Sequence, residues 1–118
     1  MENKKSSRLV GMLGFAMRAG KVIIGTELIC RALPKRGTSA VRLVLISHTA
    51  SEPTKKKLLT KCEFYTREAK IIDIDSGELG RLLGKTYAPA AVAITDEGFA
   101  NEIRKACDAI AHEQNSEN

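Results

Sequence analysis

The sequence predicts an α/β protein, a three-layer α/β/α sandwich with helices on both faces of a four-stranded mixed sheet. Two observations carry that expectation. Short apolar runs of strand length (KVII, RLVLIS, KIIDI and AAVAIT) alternate with longer stretches whose apolar residues recur at helical spacing. The chain has 118 residues, enough for one ordinary domain with a real core. Its 43% apolar and 28% charged residues exclude a disordered chain.

From Ser7 to Ala19 the positions Leu9, Val10, Leu13, Phe15, Ala16 and Met17 recur at roughly helical spacing, and Gly20 sits where a left-handed cap would end the helix. Lys21–Ile24 reads as a strand. Thr26 then caps a second helix whose inward stripe is Leu28, Ile29, Ala32 and Leu33, stopped by Pro34 and Gly37. Arg42–Ser47 is a buried strand by length and composition. A third helix from Ser51 accepts Pro53 in its first turn and buries Leu58, Leu59, Cys62 and Tyr65. Lys70–Ile74 follows as a strand, and Ser76 caps a short helix carrying Leu79, Leu82 and Leu83 that Gly84 stops. Ala90–Thr95 is the last strand, and the closing helix, Glu97 to Ala111, turns Phe99, Ile103, Ala106 and Ile110 inward. Residues 7–112 are therefore expected as one domain, with 1–6 and 113–118 as flexible tails.

No run approaches the roughly 18 apolar residues of a membrane helix, and the start, MENKKSSRLV, is too polar to open a signal peptide, so a cytoplasmic protein without a membrane partner is expected. Residues 1–70 hold fifteen basic and five acidic groups, and residues 71–118 hold four and nine, so a +10 segment precedes a −5 one. Concentrated positive charge is the footprint of a polyphosphate binder, which makes nucleic acid the leading partner class. Aromatic residues are only 4% and tryptophan is absent, so recognition by shape and backbone fits better than an extended stacking platform.

Catalytic ingredients are thin. His48 and His112 are the only histidines, and Cys30, Cys62 and Cys107 have neither a CxxC spacing nor a histidine partner, so they read as packing thiols. Asp73 and Asp75 stand at a strand end, and Asp96–Glu97 reads as a helix start. No cofactor, metal or reaction is implied; a closed pocket lined by His48 or a cysteine would revive an enzyme. Gly11 and Gly14 lack the G-x-G-x-x-G order, and Gly77–Gly80 has the bare GxxG outline of a KH loop, but inside a helix with its own cap. Lys55, Lys56, Lys57 and Lys61 fan around the exposed arc of the third helix as a solvated face that adds a nonspecific field. Glu27, Arg31 and Lys35 lie on one face of the second helix, either as a surface ion pair or as a cationic stripe behind the free N–H groups of Gly25 and Thr26.

Several strings occur in order: LGFAMRAGKVIIG at Leu13–Gly25, G-x-E-L-x-x-[KR]-A at Gly25–Ala32, RLVLIS and HTASEPTKKKL at Arg42–Leu58, E-L-G-x-L-L-G-K at Glu78–Lys85, and AVAITDEGFA at Ala91–Ala100. From about Leu9 to Ile110 the chain resembles the ribosomal L7Ae/L30e superfamily, most of all its bacterial YlxQ-type branch. The resemblance implies a noncatalytic α/β/α sandwich that binds structured RNA, typically a kink-turn, a sharp bend flanked by sheared G·A pairs. In that family a G-x-N-E-x-x-K segment opening the second helix enters the major groove beside those pairs. Here its positions are Gly25, Glu27, Leu28 and Arg31, with Thr26 between. Arg31 supplies the cation, Glu27 stands where Asn or Lys is usual, and Leu28 replaces the Glu or Gln. Leucine makes no hydrogen bond, and an unpaired base edge costs about 1–3 kcal/mol. The family's second RNA element, an apolar loop before the last strand, maps to Thr86, Tyr87, Ala88, Pro89 and Ala90, where Tyr87 offers a stacking face; a simple proline turn is the alternative. Lys21 and Lys35 would add flanking phosphate contacts. The implied partner is a kink-turn or ribosomal RNA, bound by a monomer. The rival is a module docking on a ribosomal or transcription protein, which Leu28 favours.

Overall fold

The computed structural model describes residues 4–116, with side chains described for residues 7–109. In chain order the elements are α1 (Lys4–Arg18), β1 (Val22–Ile24), α2 (Thr26–Ala32), β2 (Leu43–Ser47), α3 (Glu52–Phe64), β3 (Glu68–Ile72), α4 (Ser76–Leu82), β4 (Ala91–Ile94) and α5 (Glu97–Ser116). Their strands form one mixed sheet in the order β1-β4-β2-β3. β4 runs antiparallel to both neighbours, whereas β2 and β3 are parallel and joined through α3. The fold is the expected α/β sandwich.

All five residues of β2 are buried because the strand lies between two hydrophobic layers. Leu43 and Leu45 face a core built with Leu9, Leu13, Leu79, Leu83 and Ile103 from α1, α4 and α5. Val44 and Ile46 face the opposite core, with Ile29, Leu33, Leu58 and Cys62 around α2 and α3. The period-2 alternation of one strand thus feeds both layers, and each fully buried Leu, Ile or Val contributes about 1.5–3 kcal/mol.

Several boundaries differ from expectation. β3 spans Glu68–Ile72 rather than Lys70–Ile74. Its parallel register with β2 closes at Ser47↔Ile72, after which the Ser47 hydroxyl donates to the Ile74 carbonyl at 2.8 Å, so Ile74 is buried but off the ladder. Helix caps shift by one residue: Asp75, not Ser76, accepts the Glu78 N–H at 2.8 Å. Gly25, not Thr26, is the N-cap of α2, with no side-chain cap hydrogen bond. Ser51 caps α3 as expected, and Gly20 and Gly84 have positive φ. Leu28 and Leu59 point outward instead of inward, because Ile29 and Leu33 on α2, and Leu58 and Cys62 on α3, already fill the inner arc. Lys55 is not on the open arc: its side chain is only 17% exposed and pairs with Glu52 at 3.2 Å.

The tails expected at 1–6 and 113–118 fall partly on residues 1–3 and 117–118, which lie outside the described residues. The backbone of 4–6 and 113–116 is helical. The side chains of Ile110 and His112 also lie outside the described residues.

Candidate nucleic-acid interface

The mixed topology brings the end of β1, the start of β4 and the ends of β2 and β3 to one edge of the sandwich. There the Gly25 N–H donates to the Ala91 carbonyl at 3.0 Å, and the Ser47 N–H donates to the Ala90 carbonyl at 2.8 Å. The loop 86–90 therefore enters β4 between the start of α2 and the turn after β2. The two elements assigned to RNA from sequence are neighbours.

α2 presents Glu27, Leu28 and Arg31 on its outer face, with Leu28 54% exposed. Arg31 Nη2 lies 3.4 Å from Glu27 Oε1, both side chains mostly in solvent, so the pair contributes little to stability and either partner is free to engage a ligand. In the loop, Thr86, Tyr87 and Ala88 are exposed, Pro89 is buried and Ala90 half-buried. Tyr87 is 55% exposed and offers a ring face, whereas Pro89 supports the loop from beneath. Thr26 is half-buried in the first turn of α2.

Lys21 and Lys35 are not brought to this edge. Lys21 precedes β1 at the opposite end of the strand, where its carbonyl accepts from the Thr95 N–H, and Lys35 follows the far end of α2, its carbonyl accepting from Arg67 Nη2 at 2.9 Å. Both side chains are exposed and can reach only flanking phosphates.

Sequence reasoning missed what holds the loop in place. Gly80 of α4 packs directly under it: a Cβ on Gly80 would stand 2.2 Å from the Tyr87 carbonyl oxygen and 3.2 Å from Pro89 Cδ. The GxxG outline at Gly77–Gly80 is thus part of α4 and serves close packing. A hydroxyl network also braces the edge. Ser47 Oγ lies 2.9 Å from Thr49 Oγ1, which donates to Ser76 Oγ at 3.1 Å and accepts the Ser76 N–H at 2.9 Å. Nothing in the sequence distinguishes these hydroxyls from surface serines and threonines.

His48 Nε2 faces Asp73 Oδ1 at 3.5 Å on the turn after β2, while Cys30 and Cys62 pack in the α2–α3 core and Cys107 against the other one. Burial, reinforced by the neighbouring Cys30, pushes the Cys62 thiol up to about 11, and burial likewise raises Cys107, so both stay protonated. No group of three or more His, Cys, Asp or Glu able to hold a metal ion, and no helix long and apolar enough to cross a membrane, occurs among the described residues.

Residues 8–104 match the ribosomal protein L7Ae/L30e/S12e/Gadd45 family. The chain is 38% identical over 92 residues to the RNA-binding protein YlxQ of Bacillus subtilis, covering 78% of this chain and 87% of that protein. It is 34% identical over 107 residues to the RNA-binding protein YlxQ of Enterococcus faecium, covering 89% and 96%. A solved structure of a Bacillus halodurans C protein of unknown function superposes with a TM-score of 0.75 at 33% identity, covering 86% of this chain and 97% of that one.

Proposed function

The chain belongs to the ribosomal protein L7Ae/L30e/S12e/Gadd45 family, in its bacterial YlxQ-type branch, and from that premise we propose that it is a noncatalytic RNA-binding protein recognising a kink-turn or a similarly bent structured RNA. The observation that carries this reading is the Gly25 N–H bond to the Ala91 carbonyl at 3.0 Å, which holds the start of α2 beside the point where the 86–90 loop enters β4. Two surfaces fixed at an angle suit a bent RNA, whose opened groove receives a helix while an unstacked base meets the loop. Arg31 supplies phosphate or guanine contacts, Leu28 packs against a base edge, and Tyr87 stacks. The same reading puts a monomer in the cytoplasm, on ribosomal RNA or beside ribosomal or transcription proteins.

The direct test is affinity for a kink-turn RNA and for its G·A-disrupted, unbent control at two salt concentrations. Selective binding of the bent RNA is expected; equal, steeply salt-dependent binding of both would reduce the site to a basic surface without base readout. Arg31→Ala is expected to weaken binding to every RNA and to lower the salt slope by about one, and unchanged affinity would remove α2 from the interface.

A second reading, docking on a protein partner, is favoured by the exposure of Leu28 and Tyr87, two apolar side chains at one edge of the molecule. Co-purification with a ribosomal or transcription protein that survives ribonuclease, together with no RNA selectivity, would support it.

A further inference from the structure

Charge is balanced around α5 and β3 and unbalanced on α3. Around α5 and β3 the cations are matched: Arg8 with Glu102, Lys70 with Glu68 and Asp108, Arg104 with Glu68 and Glu97, and Lys105 with Glu102. There the Arg8 guanidinium, helped by Lys105, holds the Glu102 carboxyl below the usual carboxylate range. On α3, by contrast, Lys55 pairs with Glu52, while Lys56, Lys57 and Lys61 have no ion partner among the described residues.

Lys57, Lys61 and Phe64 follow one another at i, i+4 and i+7, so they form one stripe along α3. Leu59 and Glu63 lie on the opposite flank, where they border Ala69 of β3, so the stripe runs along the side turned away from β3. Phe64 is 77% exposed, the highest value among the large apolar side chains described. Its ring meets Tyr65 edge-on, with centroids 4.8 Å apart and planes at 87°, which steadies the ring while leaving it open to solvent. Thr60, Lys61, Phe64 and Tyr65 line an open depression of about 300 Å³ beside it. A solvent-facing ring flanked by ammonium groups without acidic partners among the described residues complements a base carried on a phosphate backbone.

We propose that the Lys57–Lys61–Phe64 stripe is a second RNA contact, which holds an unpaired segment leaving the bent element: the lysines take backbone phosphates and Phe64 takes a base on its ring. The inference rests on the RNA reading given above. α3 starts at the edge that carries Gly25 and the 86–90 loop, since only residues 48–50 separate the end of β2 from the N-cap Ser51, and Phe64 lies twelve residues beyond Glu52, about 18 Å along the axis. A tail of several nucleotides spans that length. Single-stranded RNA is the fitting ligand because a base must leave its stack to reach an aromatic face, whereas duplex offers only phosphates.

Fluorescence anisotropy on the full chain would compare a blunt kink-turn RNA with the same RNA extended by about six unpaired nucleotides at its 5′ or 3′ end. One extension is expected to tighten binding about tenfold. Phe64→Leu should abolish that gain, and the Lys57→Gln/Lys61→Gln double variant should lower the salt slope on the extended RNA by about 1.4, both leaving blunt RNA bound as before. If neither extension helps, or if the gain survives in both variants, the assignment is overturned while selective binding of blunt RNA keeps the primary reading intact. If the wild-type chain binds none of these RNAs, both readings fall. Loss of a bound protein rather than of RNA in Phe64→Leu would also overturn it and mark the stripe as a protein-docking surface.

Discussion

Gly80→Ala is expected to lower the melting temperature by about 5–10 °C and to weaken RNA binding at least tenfold. The added Cβ would stand 2.2 Å from the Tyr87 carbonyl oxygen, far inside contact distance, and the atom it meets is backbone rather than the end of a flexible side chain. Either α4 or the loop must move by about an ångström. Overpacking of this kind costs about 1–3 kcal/mol, and here the upper end applies because the Lys85 N–H bond to the Gly80 carbonyl at 2.8 Å fixes the loop's other end. Alanine's better helix propensity returns at most about 1 kcal/mol, so the clash wins by about 2 kcal/mol. In a chain of this size that net cost corresponds to the expected fall in Tm. The binding loss has a separate origin: any shift of Tyr87 moves the ring proposed to stack on a base relative to α2. Thermal denaturation tests the packing and anisotropy tests the site. An unchanged Tm would refute the close approach, and a lowered Tm with unchanged affinity would remove the loop from the interface.

How far the sequence foretold this molecule depends on whether a feature is local or tertiary. β2 was legible because LVLIS is apolar on both faces, which fits only a strand between two layers. α3 was legible because Ser51, Pro53 and the Leu58/Cys62 spacing agree. β3 slid by two residues because its own Ile71 is half exposed while Ile74, beyond the ladder, is buried, so hydropathy points to the wrong stretch. Leu28 misled for a related reason: it sits beside Ile29 in sequence, but the inner arc is centred on Ile29, Ala32 and Leu33 and Leu28 falls on its outer flank. At the site, the charged stripe of α2 could be found from residue type and spacing, whereas the proline loop is singled out only by the resemblance to the L7Ae/L30e family. Their adjacency could not be found, because it depends on β4 pairing with β1. The role of Gly80 was hidden altogether, since a close approach of two backbones leaves no mark in either segment.

Gly25→Ala is the second large expected effect, and it separates backbone strain from side-chain contact. Gly25 has φ 103° and ψ 145°, a region that essentially only glycine occupies and that costs any other residue about 1–3 kcal/mol. No atom lies within 4 Å of the Cβ position, so the cost is conformational and not a clash. The residue cannot relax freely, because its N–H is held by the Ala91 carbonyl and its own carbonyl accepts the Ile29 N–H, each at 3.0 Å. Rotating φ to a comfortable value breaks one of the two bonds, and with it either the first turn of α2 or the clamp onto β4. Alanine's smaller unfolded-state entropy offsets only about 0.4–1 kcal/mol of this. The variant is expected to unfold several degrees earlier and, on the proposed reading, to lose most of its preference for the bent RNA over the unbent control, because the clamp holds the start of α2 beside the loop's entry into β4. Thr26→Ala, one residue later, removes a side chain that makes no cap hydrogen bond and is expected to leave Tm nearly unchanged. Equal melting of both variants would show that the strained start of α2 carries no energetic weight. Full selectivity in a destabilised Gly25→Ala chain would show that the RNA itself can impose the angle.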